Sequence, residues 1–288
     1  MLAYGCTVVT ESNISKRTLI CDLDGVLWRG DEAISGSAAA IAKLRAAEFK
    51  VIFISNNSYS TPETICAKLT DFGVPAQSSD LLTSASAAAA MMQGQSSAQG
   101  HKKCRAMVLG GPGLRQALVD AGVDVFEPKK AGAVVPDAVV AGFDPEFDFA
   151  AVDEAARAIR SGARFIATNR DPTYPVPGGV VPGAGALVAA IAVASGCEPE
   201  VAGKPEAPTV ELTRQRIEGY AVVVGDRPST DGALAESLGI DFALVLSGVT
   251  SAIPVLGGES IPDPAPRWVS EDLAALVPHL LEISDSIG

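Results

Sequence analysis

The chain has 288 residues, 48% of them hydrophobic and only 5% aromatic, enough for one large domain or two of ordinary size around a core of Ala, Val, Leu and Ile. A formal net charge of −12, with no basic cluster along the chain, disfavours nucleic acid and anionic membrane surfaces as partners. The cysteines, Cys6, Cys21, Cys66, Cys104 and Cys197, include no C-x-x-C pair, which speaks for a reducing compartment and against a disulfide framework or a zinc site.

The first 17 residues lack the cationic start and sustained apolar run of a signal peptide. No segment approaches the roughly 20 apolar residues of a membrane-spanning helix. A cytoplasmic protein is therefore expected.

Thr18 to Cys21 reads as a buried strand that runs into Asp22-Leu23-Asp24-Gly25. Ser37 to Glu48 has helical spacing, with Ile41 and Leu44 on one face. Lys50 to Ile54 is a second buried strand, ending at Ser55-Asn56-Asn57-Ser58. A helix from Pro62 to Phe72 follows, with Ser60 or Thr61 as its N-cap and Gly73 at its end. Strands and helices alternating through short connections predict a parallel sheet.

The next helix, near Thr83 to Gln93, leads into the polar run Gly94 to Gly100, the best linker candidate in the chain. Beyond it the alternation restarts: strands at Arg105–Leu109, Ala138–Ala141 and Arg164–Thr168, helices at Gly113–Ala121, Phe149–Arg160 and Gly185–Ser195. A third block holds a helix at Thr209–Arg216 and an apolar strand at Ala221–Val224, ending in Gly225-Asp226. The pattern predicts a core sheet drawn from both ends of the sequence, with a second α/β domain inserted between.

Ligands of open parallel sheets bind beyond the carboxyl ends of the strands. Three apolar strands end in polar clusters: Asp22-Leu23-Asp24-Gly25, Ser55-Asn56-Asn57, and Gly225-Asp226-Arg227-Pro228-Ser229-Thr230-Asp231. Two-residue alternation points Asp22 and Asp24 to one side and Leu23 to the other. Acids so crowded repel, and a divalent cation on oxygen ligands, Mg²⁺ above all, is the usual remedy. Asp-Gly alone is a common turn, and a lone Ser-Asn-Asn a common helix entry. It is their joint occurrence at strand ends that points to a site. Gly203-Lys204-Pro205 adds a lysine whose backbone is restrained on both sides, placed to neutralise a phosphate and the acids around it.

These motifs resemble, in order and kind, those of the haloacid dehalogenase superfamily of aspartate-nucleophile phosphotransferases. D-L-D-G-V-L-W-R-G, F-I-S-N-N-S, A-T-N-R-D, A-G-K-P and V-G-D-R-P-S-T-D resemble more closely its NagD-like and p-nitrophenyl-phosphatase-like branch, over residues 18 to 280. The resemblance implies an α/β fold with a Rossmann-like, doubly wound parallel-sheet core from residues 1–84 and 200–288, and an α/β cap domain inserted as residues 85–199. It implies Mg²⁺-dependent hydrolysis of small phosphate monoesters. Asp22 becomes the nucleophile, Asp24 the acid and then the base, and the Asp22 and Asp226 carboxylates with the Asp24 carbonyl hold the metal. Ser55 and the Asn56 amide bind phosphate, Lys204 supplies the opposing charge, and Asp231 orients Lys204 or a water on the metal. An aspartate at position 24 favours phosphate esters over the dehalogenases and ion pumps of the superfamily.

Within the cap, residues 168–176 resemble the branch's specificity loop, with Asn169, Arg170, Asp171 and Tyr174 as candidate readers of the leaving group. Arg170 is the one cation there, which favours a small polar or neutral leaving group; glycerol phosphate suits this better than phosphoglycolate. Nucleoside monophosphates and pyridoxal phosphate are the alternative substrates. From another class, a phospho-accepting receiver or a metabolite-binding protein without turnover competes, although a receiver orders its motifs differently and is about half as long. The branch also dimerises through its cap, for which the sequence displays no interface.

Other signals fall away. Gly183-Ala184-Gly185 follows a proline-rich loop rather than a strand, so it reads as the start of a helix, not a dinucleotide fingerprint. Gly196 to Lys204 has the wrong spacing for a P-loop. No cysteine has the arginine of a cysteine phosphatase six residues on, and His101 and His279 stand apart from every motif.

Overall fold

The computed structural model describes residues 16–96, 103–128, 136–176, 179–250 and 263–286. The part of the expected linker at 97–100, Cys6 and His101 lie outside them.

Strand β1 (Arg17–Asp22) is buried along its length except at Arg17. A tight turn leads to a small hairpin of β2 (Trp28–Arg29) and β3 (Glu32–Ala33), then to α1 (Ser37–Ala46) and β4 (Phe49–Ser55). Helix α2 (Pro62–Asp71) starts at Thr61, whose side chain accepts the Thr64 N–H at 3.3 Å, and stops where Gly73 takes φ +79°. Strand β5 (Leu81–Thr83) and helix α3 (Ser84–Ser96) close the first block.

The second block runs β6 (Arg105–Leu109), α4 (Pro112–Asp120), β7 (Asp124–Phe126), β8 (Ala138–Ala141), α5 (Phe149–Arg160) and β9 (Arg164–Ala167). A hairpin of β10 (Thr173–Val176) and β11 (Gly179–Pro182) follows, then α6 (Ala184–Ser195) and β12 (Glu200–Val201). The last block holds α7 (Ala207–Arg214), β13 (Tyr220–Gly225), α8 (Ala233–Leu238), β14 (Asp241–Val245), β15 (Trp268–Ser270) and α9 (Leu273–Ser286).

Apart from the two hairpins, the strands of the described residues form two parallel sheets. One has six strands in the order β15-β14-β13-β1-β4-β5, and so joins both ends of the sequence. The other has five, ordered β12-β9-β8-β6-β7. Alternation along the strands explains the double winding. Leu19, Cys21, Val222 and Val224 face Ile41, Leu44, Leu276 and Leu280, from α1 and α9. Ile20, Ile52 and Val223 turn the other way, toward Leu234 and Leu238 of α8. The five-stranded sheet is covered likewise, by α3 and α4 on one face and by α5 and α6 on the other. The fold is the expected Rossmann-like α/β core with a second α/β unit.

Sequence reading places most of the long elements within two or three residues, but it leaves α8, β14 and the 14-residue α9 unassigned and misses the short strands. Strands β5, β7, β12 and β15 have only two or three residues each, too few for periodicity to register. Gly94 to Ser96, read as linker, extend α3. The expected specificity loop is partly regular, since Thr173–Val176 pair as β10 of the hairpin.

Candidate active site

Strand β1 sits between β13 and β4, with Cys21 in register with both Val224 and Phe53. The polar residues that end these three strands therefore meet. Asp22 is 7% exposed, Ser55 4%, Asp226 1% and Asp231 0%. Acids this buried need partners.

Lys204 is the first. Its Nζ donates to Asp22 Oδ1 and to Asp231 Oδ1, both at 2.7 Å. Burial alone would push this ammonium down, but Asp22 and Asp231 reverse that and hold its pKa above the ordinary lysine value. Burial drives the Asp22 carboxyl well up; Lys204 pulls it back, and Asp231 and Asp226 add to the rise. Lys204 is itself held by the backbone: its N–H donates to Asn56 Oδ1 at 2.9 Å. A side chain at Gly203 would lie 2.5 Å from the Thr168 carbonyl oxygen and 2.6 Å from Asn56 Oδ1, so glycine is required for the approach.

Asp226 is the acid without a cation. Its Oδ2 accepts the Val249 N–H, while Oδ1 is buried with no hydrogen-bond partner among the described residues. Burial, and next Asp231, push its carboxyl up to about 6. Carboxylate oxygens of Asp22, Asp226 and Asp231 lie within 4.8 Å of one another. An orphaned buried oxygen in such a cluster is the arrangement a hard divalent cation would complete, so these residues fit Mg²⁺. Gly25, at φ +84°, passes so close that a Cβ there would fall 2.5 Å from Asp226 Oδ2.

Asp24 lies just past the end of β1. Its Oδ1 accepts the Trp28 indole N–H at 2.9 Å, and burial raises its carboxyl against the pull of that bond. Ser55 Oγ accepts the Asn57 N–H at 3.0 Å, which leaves the hydroxyl proton available to an anion.

Asp22, Asp24, Ser55, Asn56 and Lys204 line one cleft, whose room for the centre of a water-sized molecule is about 70 Å³. Residues of the second sheet close it from above. Asn169 Nδ2 donates to the Asn56 carbonyl at 2.8 Å, and Thr168 Oγ1 and Ser58 Oγ are 3.1 Å apart. Asn169, Asp171 and Tyr174 reach the cleft as expected. Arg170 does not: it pairs with Glu198 at 2.8 Å, and both side chains are more than half exposed.

Two of the lining residues to which sequence reading gave no role stand out. Phe143 stacks on Tyr174 with ring centroids 4.8 Å apart, and Tyr59 meets its edge at 5.7 Å. The signal was present, since Phe143 directly follows the apolar strand β8 and Gly142. Arg227 lines the cleft with a side chain that makes no hydrogen bond or ion pair with another described residue. The polar cluster from Gly225 to Asp231 contains it, with no role of its own assigned from the sequence. Burial pushes the Tyr174 hydroxyl up, with Asp24 and Asp31 adding to it.

Two family models match parts of the chain. Residues 19–124 match the haloacid dehalogenase-like hydrolase family, and residues 201–276 an HAD-hydrolase-like family. A D-glycerol 3-phosphate phosphatase of Mycobacterium tuberculosis is 34% identical, over 90% of this chain and 70% of its own length. An acid sugar phosphatase of Staphylococcus epidermidis is 31% identical, over 91% and 96%. Among solved structures, a hypothetical protein of Pyrococcus horikoshii superposes with a TM-score of 0.81 at 34% identity, covering 91% of this chain and 99% of that one. A glycerol phosphate phosphatase of Mycobacterium tuberculosis, in complex with magnesium, gives 0.79 at 32% identity, over 90% and 75%.

Proposed function

The chain belongs to the haloacid dehalogenase-like hydrolases, and from that membership we propose that it hydrolyses small phosphate monoesters with Mg²⁺ through an aspartyl-phosphate on Asp22. The single observation that carries the site assignment is Asp226 Oδ1, buried and without a partner beside the carboxylates of Asp22 and Asp231.

Asp22 attacks phosphorus: an O–P bond to its carboxylate forms as the P–O bond of the ester breaks. Asp24 gives its proton to the departing oxygen, then takes one from the water that splits the acyl phosphate, freeing Asp22 and inorganic phosphate. Lys204, held by Asp231 on its far side, keeps the attacking carboxylate in place and offsets phosphate charge. Ser55 donates its hydroxyl proton to a phosphate oxygen. The Asp22 and Asp226 carboxylates with the Asp24 carbonyl would hold Mg²⁺, whose contribution is to neutralise oxygens of the transferring group.

Glycerol phosphate or a related polyol or sugar phosphate suits the cleft best. The specificity loop presents Asn169, Asp171, Thr173 and Tyr174 to it, groups that hydrogen-bond hydroxyls and repel a second anion. The relatives named for glycerol and sugar phosphates support this reading. The cap extends over residues 85–199, and α3 packs on the five-stranded sheet from Ala85 onward. Dimerisation through the cap is supported by Phe149 and Val193 of α5 and α6, 88% and 86% exposed. A cytoplasmic location is supported by the free Cys21, Cys66, Cys104 and Cys197. Among the described residues no helix is long and apolar enough to cross a membrane.

The test is turnover across small phosphate monoesters with Mg²⁺, using Asp22→Asn as control. Hydrolysis by the wild type, abolished by EDTA and absent in D22N, is expected. Wild-type turnover in D22N would remove Asp22 as nucleophile.

A further inference from the structure

Trp28 has no part in the chemistry above, yet it makes the side-chain hydrogen bond that holds the acid. The loop Asp24-Gly25-Val26-Leu27-Trp28 is closed at both ends. Gly25 N–H donates to the Trp28 carbonyl at 2.7 Å, Leu27 N–H to the Leu23 carbonyl at 2.9 Å, and Asp24 and Trp28 form an isolated β-bridge. Trp28 is 4% exposed and packs its ring on Phe72, with centroids 5.9 Å apart. The indole is thus a fixed group.

Lys68, on α2, adds a charge to it. Its Nζ sits 4.8 Å from the centre of the Trp28 ring, fixed by a 2.6 Å hydrogen bond to the Gly30 carbonyl and by Asp31 at 3.6 Å. A cation over an indole face draws electron density toward itself and leaves the ring N–H a stronger donor. The chain of contacts runs from Lys68 to Trp28 to Asp24 Oδ1.

An indole nitrogen donates and never accepts. Asp24 Oδ1 must therefore be the accepting oxygen in either protonation state, and the acid's proton belongs on Oδ2. That second oxygen is not a buried, unpartnered atom, and Asp24 lines the cleft. We propose that Trp28, backed by Lys68, is a positioning residue that occupies one oxygen of Asp24 and reserves the other for proton transfer to and from the substrate. The inference rests on the reading of Asp24 as the acid and base of the reaction. In the transfer, the Oδ2–H bond breaks as the leaving ester oxygen gains the proton, and Oδ2 recovers a proton from water in the second half.

Leaving groups separate this role from mere support. An alkoxide needs its proton as the P–O bond breaks, whereas p-nitrophenolate departs without one. In Trp28→Phe, kcat for an alkyl phosphate such as glycerol phosphate falls about tenfold or more. For p-nitrophenyl phosphate, where Asp24 is needed only to take the proton of the attacking water, the fall is at least about threefold smaller, and KM for both changes little. Lys68→Met shows the same order of effects with a smaller loss. Loss of packing alone would depress both substrates together. An alkyl-to-aryl ratio within about twofold of wild type in W28F, or in K68M should W28F not fold, overturns the inference. Asp24→Asn separates the two levels. If it spares glycerol phosphate turnover, the reading of Asp24 falls; if it abolishes that turnover while W28F leaves the ratio unchanged, only the role of Trp28 falls.

Discussion

Asp226→Asn should stabilise the metal-free protein while destroying its activity. The Asp226 carboxyl rises from an ordinary value near 3.8 to about 6, because it is buried and faces Asp231. A rise of about two pH units, each worth about 1.4 kcal/mol, makes the ionised form cost on the order of 3 kcal/mol at pH 7. The sign follows from linkage. A carboxyl whose folded-state pKa lies above its unfolded value favours folding only while protonated. The cost is absent below about pH 4, grows between 4 and 6, and is complete above 6. Asparagine cannot ionise, and its carbonyl can still accept the Val249 N–H. Thermal melts in EDTA at pH 7.5 should place D226N above the wild type, by on the order of 5 °C, with the gap narrowing toward pH 5. Mg²⁺ should raise the wild-type midpoint and leave D226N unmoved. A D226N protein that melts at or below the wild type in EDTA at pH 7.5 would refute the view that this carboxylate is strained for want of a cation.

Tyr174→Ala should reorder the preference among alkyl phosphates while sparing p-nitrophenyl phosphate. Phe143→Ala should do the same, because the two rings stack; equal loss on every substrate in kcat/KM would contradict a specificity role. At the opposite end of β1, Lys50 and Lys16 pull the Glu218 carboxyl down to about 2. Its contribution to stability is present above the unfolded value near 4.5 and lost as pH falls toward 2, so Glu218→Gln should melt slightly below wild type at pH 7 and low salt. That difference should vanish in 1 M salt, where about 3 Å of screening length remains. Phe149→Glu should yield monomers by light scattering if the exposed faces of α5 and α6 join two copies, with turnover of p-nitrophenyl phosphate retained.

The chemistry was legible in the sequence because it is carried by strand ends. Asp22, Ser55 and Asp226 each close an all-apolar run, and parallel pairing of β13, β1 and β4 leaves those ends only one edge to share. Lys204 was legible through its neighbours, since glycine and proline at 203 and 205 announce a directed side chain. The cap was harder. Arg170 and Asp171 are adjacent in sequence, yet Asp171 lines the cleft while Arg170 turns outward to Glu198. Nothing local distinguishes them. The direction is set by Gly183 and Gly185 at the start of α6, whose N–H groups bond the Pro172 and Asp171 carbonyls and pin the loop. Trp28 was hidden for a similar reason: an aromatic residue four positions after an aspartate reads as core until the turn between them is known.

The charge count in the cleft explains how so acidic a chain can hold a phosphate dianion. Asp22, Asp24 and Asp171 line it, Asp226 and Asp231 stand beside Asp22, and against these five acids there are two cations, Lys204 and Arg227, of which Lys204 is already shared between two of the acids. Once Asp24 carries its proton for the first step, the protein groups leave the cluster slightly negative. A divalent cation cancels that excess, and only then does a dianionic phosphate enter without facing net repulsion. Substrate binding and metal binding should therefore be coupled and reciprocal. Inorganic phosphate, the product, should bind far more weakly in EDTA than with Mg²⁺, and phosphate at saturation should tighten Mg²⁺ by the same factor. Titration calorimetry on the wild type, which has no ester to hydrolyse when inorganic phosphate is the titrant, reads both. Phosphate affinity independent of Mg²⁺ would place the anion on Arg227 and Ser55 alone, away from the carboxylate cluster.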